Sequence, residues 1–387
     1  MRRRELFEIL GGVALSGLCG VGAQPRRIVV AGAGIIGSSV ALQLARRGAH
    51  VTVVEKAEPA SGATANSFAW LNSTFEKQPR AYYELNRLGI FAWRQVNDEL
   101  KGALDVRWTG SVEWYPDAAK AEELRRSVQH HQAWGYGTRT IDEAALRSLE
   151  PKVTVGRFAG GAYSDVEGHV DPVFAATLLL DRAREAGATV LTRTAITGLD
   201  RPGGTLRGVT TTSARLDADV LVVACGVDTP TVAAMAGLTI PMQHSPGVLA
   251  HTAPLPQLID RVVLAPGAHM KQKSDGRIVT GEGFGGTPIQ NTSKEEGHRA
   301  LVAAKQFLPG LDAERLERVT LGYRPLPKDG LPVIGFSRQA PDVYLAVMHS
   351  GMTLSQFVAR SAAVEILDGV SLDALEPFRY SRFAGGA

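Results

Sequence analysis

Apolar residues near the start of the chain form two short runs separated by one helical stretch. Residues 27–31 read Arg-Ile-Val-Val-Ala, and residues 51–54 read Val-Thr-Val-Val. Such β-branched runs are typical of strands that are buried on both faces of a parallel sheet. Between them Ile36, Val40 and Leu44 recur every four residues and form one apolar stripe of a helix. The pattern predicts a strand–helix–strand unit.

A glycine-rich turn joins the first strand to this helix. Residues 32–37 read Gly-Ala-Gly-Ile-Ile-Gly and fit G-x-G-x-x-G. In this motif Gly32 permits the tight turn, Gly34 lets a pyrophosphate approach the backbone, and Gly37 lets helix and strand pack closely. The helix N-terminus offers free N–H groups to the phosphates. Because Glu55 ends the second strand and can bind an adenosine ribose, the unit predicts a dinucleotide site, without separating FAD from NAD.

The rest of the chain predicts the other elements of two domains. From Pro241 to Val319 short strand-like runs alternate with Gly- and Pro-rich turns, which indicates an antiparallel sheet outside the nucleotide-binding part. The nucleotide-binding elements therefore come from separated stretches. Helical patterns cover residues 84–104, 118–134, 173–186 and a stretch that ends near 367, and strand patterns cover 106–115, 189–194, 208–212, 218–226 and 343–348.

Histidines outside these motifs suggest no chemistry of their own. His130 and His131 lie on a polar helix without nearby ligand partners and are predicted to be solvated. His169 and Asp171 could form a catalytic pair, but a turn followed by the start of a helix explains them better.

The overall composition is that of a globular protein. The chain has 387 residues, of which 44% are hydrophobic and 21% charged, and this length suits two domains. A net charge of +3 is too small to indicate a nucleic-acid partner.

The N-terminus has the pattern of an export signal. Arginines at positions 2–4 precede an apolar, glycine-rich run from Ile9 to Val21, and residues 21–23 resemble a small-residue cleavage site. The paired arginines and the weak hydrophobicity indicate a twin-arginine signal over residues 1–23. The run is too short for a stable membrane span. The sequence predicts a periplasmic protein, or a cytoplasmic one if the N-terminus is not a signal.

Together these motifs resemble the D-amino-acid oxidase-like (DAO) family of FAD-dependent amine oxidoreductases, which includes glycine oxidase, sarcosine oxidase and D-amino-acid dehydrogenase. The resemblance runs from about Arg26 to Phe383. It rests on the glycine motif with Glu55 and on residues 62–67, 168–172, 219–226, 322–325 and 349–353.

The resemblance implies an α/β fold with two interleaved domains. A Rossmann-like FAD-binding domain would take residues 26–105, 155–240 and 320–383. An α+β substrate-binding domain with a mixed or antiparallel sheet would take residues 106–154 and 241–319.

The resemblance also implies which residues hold FAD, and no metal. Ile196 would touch the adenine, and residues 351–353 would meet the pyrimidine edge of the flavin, where a helix N-terminus suits the anionic N1–C2=O group. The stretch around Gly322 lacks the cysteine of covalently flavinylated relatives, so FAD is expected to bind noncovalently. The implied FAD-binding residues are Gly32, Gly34, Ile35, Ile36, Gly37, Glu55, Lys56, Gly62, Ala63, Thr64, Asn66, Ser67, Ile196, Cys225, Gly226, Gly351, Met352 and Thr353.

Two further residues are implied on the substrate side. Arg324 matches the family's Gly-x-Arg-Pro position, where a guanidinium can bind the substrate carboxylate bidentately. The alternative for Arg324 is a structural salt bridge. His269 falls near a polar position on the substrate-binding strand. Residues 283–290 lack the lysine that promotes reaction with oxygen in some sarcosine-oxidising relatives, so a quinone or electron carrier could replace oxygen as acceptor.

The function implied is oxidation of the C–N bond of an amino acid or carboxylated amine by hydride transfer to flavin N5, which gives an imine that hydrolyses to a keto acid. Two alternatives stay open at this point: an NAD-dependent dehydrogenase, and a non-catalytic flavin-binding subunit of a hetero-oligomeric oxidase.

Overall fold

The structure is a computed structural model that describes residues 25–74, 77–281 and 292–383. The twin-arginine-like segment 1–23 and the lysine-free stretch 283–290 lie outside the described residues. Within the described part of the chain, no helix has the length and apolar character needed to cross a membrane.

Eight α-helices and 21 strands follow one another along the described residues. The helices are α1 (Ile35–Arg46), α2 (Arg80–Glu99), α3 (Ala118–Ala133), α4 (Glu143–Leu149), α5 (Pro172–Glu185), α6 (Thr229–Ala234), α7 (Lys294–Lys305) and α8 (Gly351–Asp368). The strands are β1 (Arg27–Ala31), β2 (His50–Val54), β3 (Trp70–Leu71), β4 (Ser111–Tyr115), β5 (Thr138–Ile141), β6 (Gly160–Ser164), β7 (Gly168–His169), β8 (Thr189–Leu191), β9 (Ile196–Asp200), β10 (Gly208–Thr211), β11 (Arg215–Asp217), β12 (Val220–Val223), β13 (Met242–Gln243), β14 (Pro246–Thr252), β15 (Val262–Ala265), β16 (Ala268–Gln272), β17 (Ile278–Gly281), β18 (Leu316–Tyr323), β19 (Leu326–Pro327), β20 (Val333–Ser337) and β21 (Ala340–Val347).

A six-stranded sheet carries the predicted nucleotide-binding unit. Its order is β20-β21-β12-β1-β2-β8, with parallel pairing from β21 to β8 and an antiparallel edge strand β20. Alternate residues of β1 serve opposite faces. Ile28 and Val30 pack with α1, α5 and α8, whereas Val29 and Ala31 pack with β10, β12 and α6. Both faces are therefore buried, which explains why the strand reads as an unbroken apolar run.

An eight-stranded sheet forms the second layer of the molecule. Its order is β18-β14-β17-β16-β15-β4-β6-β5, and every pair is antiparallel except β15 with β4. One face packs on α4 and α7 around Trp114 and Met270. The opposite face carries Leu249, Val262, Leu264 and Val279, which pack on Phe68 and Trp70 of the first domain. The expected α/β fold with an added mixed sheet is confirmed.

The sheets correct two of the predicted domain boundaries. Strand β6 falls inside residues 155–240, which were assigned to the FAD-binding domain, but it pairs with β4 and β5 in the eight-stranded sheet. Strand β18 runs across the predicted boundary at 320 and pairs with β14 along its length. Strand pairing is decided by tertiary contacts, so the local apolar pattern could not assign either strand to its sheet.

Candidate functional site

The turn between β1 and α1 leaves no room for side chains at two glycines. Gly32 has φ +100°, and a Cβ there would lie 2.6 Å from the carbonyl oxygen of Ala224. A Cβ on Gly37 would lie 1.8 Å from the carbonyl oxygen of Gly32. Gly37 therefore lets α1 begin directly against the turn, as its place in the motif predicts. It does not line the cavity described below, because it is packed behind the turn.

The start of α1 is open on its cavity side. Gly34 is the N-cap residue and makes no side-chain capping bond, and the hydroxyl of Thr64 accepts a hydrogen bond from Ile35 N at 3.0 Å. A Cβ on Gly34 would meet only that hydroxyl, at 3.1 Å. The first N–H groups of a helix have no partner inside it, so this end of α1 is available to an anion.

Glu55 is held beside this turn by backbone groups. Its carboxylate accepts hydrogen bonds from Ala33 N and Ala57 N, both at 2.9 Å. The neighbouring Lys56 pairs with Asp228 at 2.7 Å. Main-chain donors therefore fix the Glu55 carboxylate at the mouth of the cavity, where the sequence predicts a ribose contact.

A cavity of 520 Å³ runs from this turn to the eight-stranded sheet. Its volume lies within the range of small-molecule and cofactor sites. All the predicted FAD-binding residues except Gly37 line it, and so do Arg324 and His269. The predicted residues therefore come together in one place, although they are spread over most of the chain.

Cys225 lines this cavity near β1 as a half-buried, protonated thiol rather than a reactive one. Its Sγ donates a 3.5 Å hydrogen bond to the carbonyl oxygen of Ala31. Burial raises the pKa of the thiol to about 12, so it stays protonated at neutral pH. Ile196 lines the same end of the cavity.

The N-terminus of α8 forms the opposite wall and is held by two other elements. The helix starts after Ser350, which has φ +58° and makes no side-chain capping bond. Trp93 Nε1 donates to the carbonyl oxygen of Met352 at 2.6 Å. The hydroxyl of Thr353 accepts from Asn72 N at 3.2 Å. The first N–H groups of α8 are thus presented to the cavity by a fixed turn.

A buried carboxylate that the sequence analysis missed fixes the aromatic wall of the cavity. Glu167 is fully buried and accepts from Trp70 Nε1 at 2.9 Å, from the hydroxyls of Ser111 and Thr74 at 2.7 and 2.8 Å, and from Tyr136 Oη at 3.1 Å. Burial raises the pKa of the carboxyl. Glu167 lies just before the 168–172 motif, and nothing in the local sequence distinguishes it from a surface glutamate.

Arg324 reaches the cavity from the end of β18. Its guanidinium donates to the carbonyl oxygen of Pro246 at 2.7 Å and to the hydroxyl of Ser245 at 3.4 Å. Burial lowers the pKa of the guanidinium, which nevertheless stays protonated. No carboxylate of the described residues lies within 4 Å of it, so the salt-bridge alternative has no partner among them. Arg201 and Arg379, by contrast, each face a buried carboxylate at 2.7 and 2.5 Å.

His269 and His349 line the same end of the cavity as uncharged imidazoles. Burial lowers the pKa of His269 to about 4. Burial, followed by the charges of Lys77 and Arg324, lowers the pKa of His349 to about 3. Both rings are therefore neutral at pH 7 and able to accept or donate one hydrogen bond each.

Lys77 is a second cavity residue that the sequence analysis missed. It is only 6% exposed, and its ammonium donates to the hydroxyl of Ser350 at 2.7 Å. A single lysine in a polar segment has no sequence signal that would separate it from a surface lysine.

The prediction for His131 is wrong, whereas the helix start predicted at Asp171 is confirmed. His131 was expected in solvent, but it is 5% exposed and stacks on Tyr83 with ring centroids 5.6 Å apart. Because most residues of α3 are polar, the sequence pattern gave no sign that His131 faces the interior. Asp171 caps α5 by accepting from Val173 N and Phe174 N, both at 3.0 Å, which confirms the helix start.

The cavity suits the dinucleotide that the sequence analysis implies. It offers a glycine turn at a helix start for a pyrophosphate, a fixed carboxylate for a ribose, and a second helix start for an anionic ring edge. Gly62 and Gly226 leave further space, because a Cβ at either would have no atom within 4 Å. FAD would be held by these residues.

Comparison with known proteins finds a family model and individual relatives that match most of the chain. The DAO family model, described as FAD dependent oxidoreductase, matches residues 27–364. A glycine oxidase from Bacillus licheniformis is 25% identical over 92% of this chain and 96% of its own length. Hydrogen cyanide synthase subunit HcnC from Pseudomonas aeruginosa is 26% identical over 80% of this chain and 84% of its own length.

The fold is also shared with solved structures. The crystal structure of L-proline dehydrogenase from P. horikoshii superposes with a TM-score of 0.84 at 24% identity, and the match covers 94% of this chain and 98% of that one. The likeness at this identity concerns the fold. With the family match over most of its length, the chain belongs to the DAO family of FAD-dependent oxidoreductases.

Proposed function

We propose that this protein oxidises the C–N bond of an amino acid or another carboxylated amine. The observation that carries the proposal is the position of Arg324. This cation lies in the cavity wall, and within the described part of the chain its guanidinium donates hydrogen bonds only to a carbonyl and a hydroxyl oxygen. A guanidinium can give a carboxylate two parallel, charge-assisted hydrogen bonds. The name of one relative, glycine oxidase, supports an amino-acid substrate.

The chain's own residues would act mainly by positioning the substrate. Arg324 would fix the carboxylate, and the neutral imidazole of His269 would accept a hydrogen bond from the amine without repelling it. The aromatic wall around Trp70 would exclude water from the reacting carbon. FAD, when bound, supplies a hydride acceptor at N5, and the imine product would hydrolyse in water to a keto acid. No general base is required if the amine binds unprotonated, so orientation would supply most of the catalysis.

Replacing Arg324 tests the proposed carboxylate anchor. In Arg324→Ala we expect kcat/KM for an amino acid to fall by roughly 30-fold to several thousand-fold, because losing a buried charged partner costs about 2–5 kcal/mol. Arg324→Lys should recover only part, since an ammonium lacks the planar fork. The measurement is the ratio of kcat/KM for an amino acid and its decarboxylated amine, with flavin content determined in parallel.

The exposed residue Arg338 provides a matched control, because Arg338→Ala removes the same charge away from the cavity. If the ratio is the same in wild type and Arg324→Ala, the carboxylate is not bound there. A loss of flavin or of stability in place of a changed ratio would assign Arg324 a structural role.

Of the two alternatives, the NAD-dependent dehydrogenase is wrong, because the chain belongs to an FAD-dependent family. The subunit alternative is kept because one relative, HcnC, is named as a subunit of hydrogen cyanide synthase. We also propose noncovalent FAD and an acceptor other than oxygen, which rest on the missing cysteine and on the missing lysine at 283–290.

Turnover by the isolated chain tests the subunit alternative and the acceptor together. We expect reduction of an artificial dye by the purified chain, and slower reoxidation of the reduced flavin by oxygen than by a quinone analogue in stopped-flow measurements. Dye reduction that requires a second protein would favour the subunit. Faster reoxidation by oxygen would make the protein an oxidase.

A further inference from the structure

A second cavity of the protein lies between α3 and the eight-stranded sheet. Its volume is 380 Å³, and among the described residues none lines both this space and the cavity that suits FAD. Leu264 of β15 lies in its wall and packs with Phe68 and Trp70, which line the other cavity. We call this space the α3 cavity. Its volume lies within the range of small-molecule sites, and no step of the proposed function uses it.

Hydroxyl groups in the wall of the α3 cavity offer lone pairs rather than protons. Five of them already donate to acceptors of the protein. These bonds run from Thr74 and Ser111 to Glu167, from Ser164 to the carbonyl oxygen of Gly137, from Thr138 to that of Tyr163, and from Tyr115 to Glu113, at 2.7–3.4 Å. A hydroxyl has one proton and two lone pairs, so an oxygen whose proton is used can still accept a hydrogen bond. The wall therefore suits a ligand that brings donors.

Glu113 on β4 adds a carboxyl group to this wall. Burial raises its pKa to about 7, while the hydrogen bond from Tyr115 lowers the pKa and the charge of Glu167 raises it. Within the described part of the chain, no cation lies within 4 Å of this carboxyl. Lys120, which also lines the cavity, holds its ammonium over the Tyr115 ring at 5.9 Å. Because a counter-ion favours the charged form of a buried carboxyl, a cationic ligand would supply the charge that Glu113 lacks.

An organic ammonium ion meets both requirements. A primary ammonium carries one positive charge and three N–H donors. Leu264 lies directly opposite Glu113 on the neighbouring strand, so the two side chains share one face of the sheet. We propose that the α3 cavity binds a small primary alkylammonium ion, with its charge on the Glu113 carboxylate and its hydrocarbon group on Leu264, Leu124 and Val128. This ligand is independent of the amine that is oxidised in the proposed function.

Binding of simple probes to the flavin-loaded protein at pH 8, followed by isothermal titration calorimetry, tests this inference. The ligand probe is tert-butylammonium, which has no hydrogen on the carbon that bears nitrogen and so cannot pass a hydride to the flavin. Its matched partners are tert-butanol, which has the same shape without the charge, and tetramethylammonium, which has the charge without N–H donors. We expect tert-butylammonium to bind about tenfold more tightly than either, because a hydrogen bond to a charged group adds about one decade in affinity. Equal or absent binding of the three probes would overturn the inference.

The variant Glu113→Gln removes the charge and keeps an acceptor for Tyr115. It should weaken tert-butylammonium binding by about tenfold or more and leave the flavin content unchanged. The control Glu123→Gln removes an exposed carboxylate from the wall of the same cavity and should keep the affinity within about twofold. Wild-type affinity in Glu113→Gln, or an equal loss in Glu123→Gln, would show that Glu113 is not the anchor and would overturn the inference.

A cavity-filling variant tests the site even if Glu113→Gln does not fold. Leu124→Trp fills the α3 cavity from the helix and leaves the Glu113 carboxyl in place, so it should block tert-butylammonium. Urea unfolding midpoints report whether each variant folds. Undiminished binding in Leu124→Trp would place the ligand elsewhere and overturn the inference.

The pH dependence of binding identifies the group that holds the ammonium. Between pH 8 and pH 6 the affinity of the wild type should fall about tenfold, because Glu113 takes up a proton through this range, whereas Glu113→Gln should show no such fall. The other ionisable groups around the cavity are Tyr115, Lys120, Glu123, His131 and Glu167. The same fall in both proteins would assign the effect to one of them and overturn the inference. Potassium chloride that binds as tightly as tert-butylammonium would overturn it too, since the site would then take an inorganic cation.

Discussion

At the scale of single residues, burial decides the charge of His131. The imidazole stacks on Tyr83, and burial, with a smaller effect of the neighbouring His130, lowers its pKa to about 4. In the unfolded chain the pKa is about 6.5. Between these values the unfolded state binds a proton that the folded state does not, so stability falls as the pH falls through this window.

We therefore expect His131→Phe to reduce the acid sensitivity of the fold, since phenylalanine keeps the aromatic packing without the titration. Between pH 6.5 and pH 4, the wild type should lose on the order of 2–4 kcal/mol more unfolding free energy than the variant. Urea unfolding at several pH values measures this. His130→Phe, at an exposed position next in the chain, is the matched control and should follow the wild type. Parallel pH curves for wild type and His131→Phe would contradict the assignment.

Single residues of the cavity were predictable from the sequence to the extent that a motif surrounded them. Arg324 lies between Gly322 and Pro325, and Glu55 lies at a fixed distance from the glycine turn, so both could be found. Lys77 and Glu167 have no such neighbours. Their roles come from contacts with Ser350 and Trp70, which are far away in the chain.

At the scale of elements, two glycines of the turn before α1 have different roles. Gly37 is required for packing, and Gly34 is proposed to leave room for the ligand. A Cβ on Gly37 would collide with the carbonyl oxygen of Gly32 at 1.8 Å, and this oxygen belongs to the backbone rather than to a flexible side chain. A Cβ on Gly34 would meet only the Thr64 hydroxyl, at 3.1 Å, on the side where we propose that the pyrophosphate binds.

We expect Gly37→Ala to destabilise the protein by about 1–3 kcal/mol or more and to reduce soluble expression, because overpacking displaces the backbone. Gly34→Ala should retain the wild-type fold of the flavin-free protein but bind FAD more weakly. Circular dichroism and urea midpoints report the fold, and flavin content after desalting reports binding. Normal flavin content in Gly34→Ala would show that the pyrophosphate does not approach this position.

Elements with a strong local apolar pattern were predicted correctly. Strands whose bounds depend on pairing with distant segments were not. The strand–helix–strand unit follows from its apolar periodicity, and β1, α1 and β2 lie where it predicts them. The strand expected at 106–115 begins only at Ser111, because Arg107 forms an isolated bridge with His169 instead. Such a bridge depends on a residue 62 positions away and leaves no local signal.

At the scale of the whole molecule, our proposal for the location of the protein concerns a segment outside the described residues. We propose that residues 1–23 direct export of the folded, flavin-loaded protein through the twin-arginine pathway. The double variant Arg3→Lys, Arg4→Lys should then accumulate as a precursor in the cytoplasm, because the pathway depends on the arginine pair. Fractionation and immunoblotting measure this. Periplasmic recovery equal to that of the wild type would show that the pair is not an export signal.

The fixed first turn of α8 has a consequence for how the flavin is acquired. Trp93 and Asn72 hold this turn through contacts that belong to the protein alone, so the end of the cavity where we propose that the flavin ring binds is formed before any ligand enters. Little binding free energy is then needed to order this wall, and the wall should keep its structure after the cofactor is released. Flavin exchange would therefore be a reversible equilibrium with a stable apoprotein, which would accept analogues of altered redox potential in place of its own cofactor.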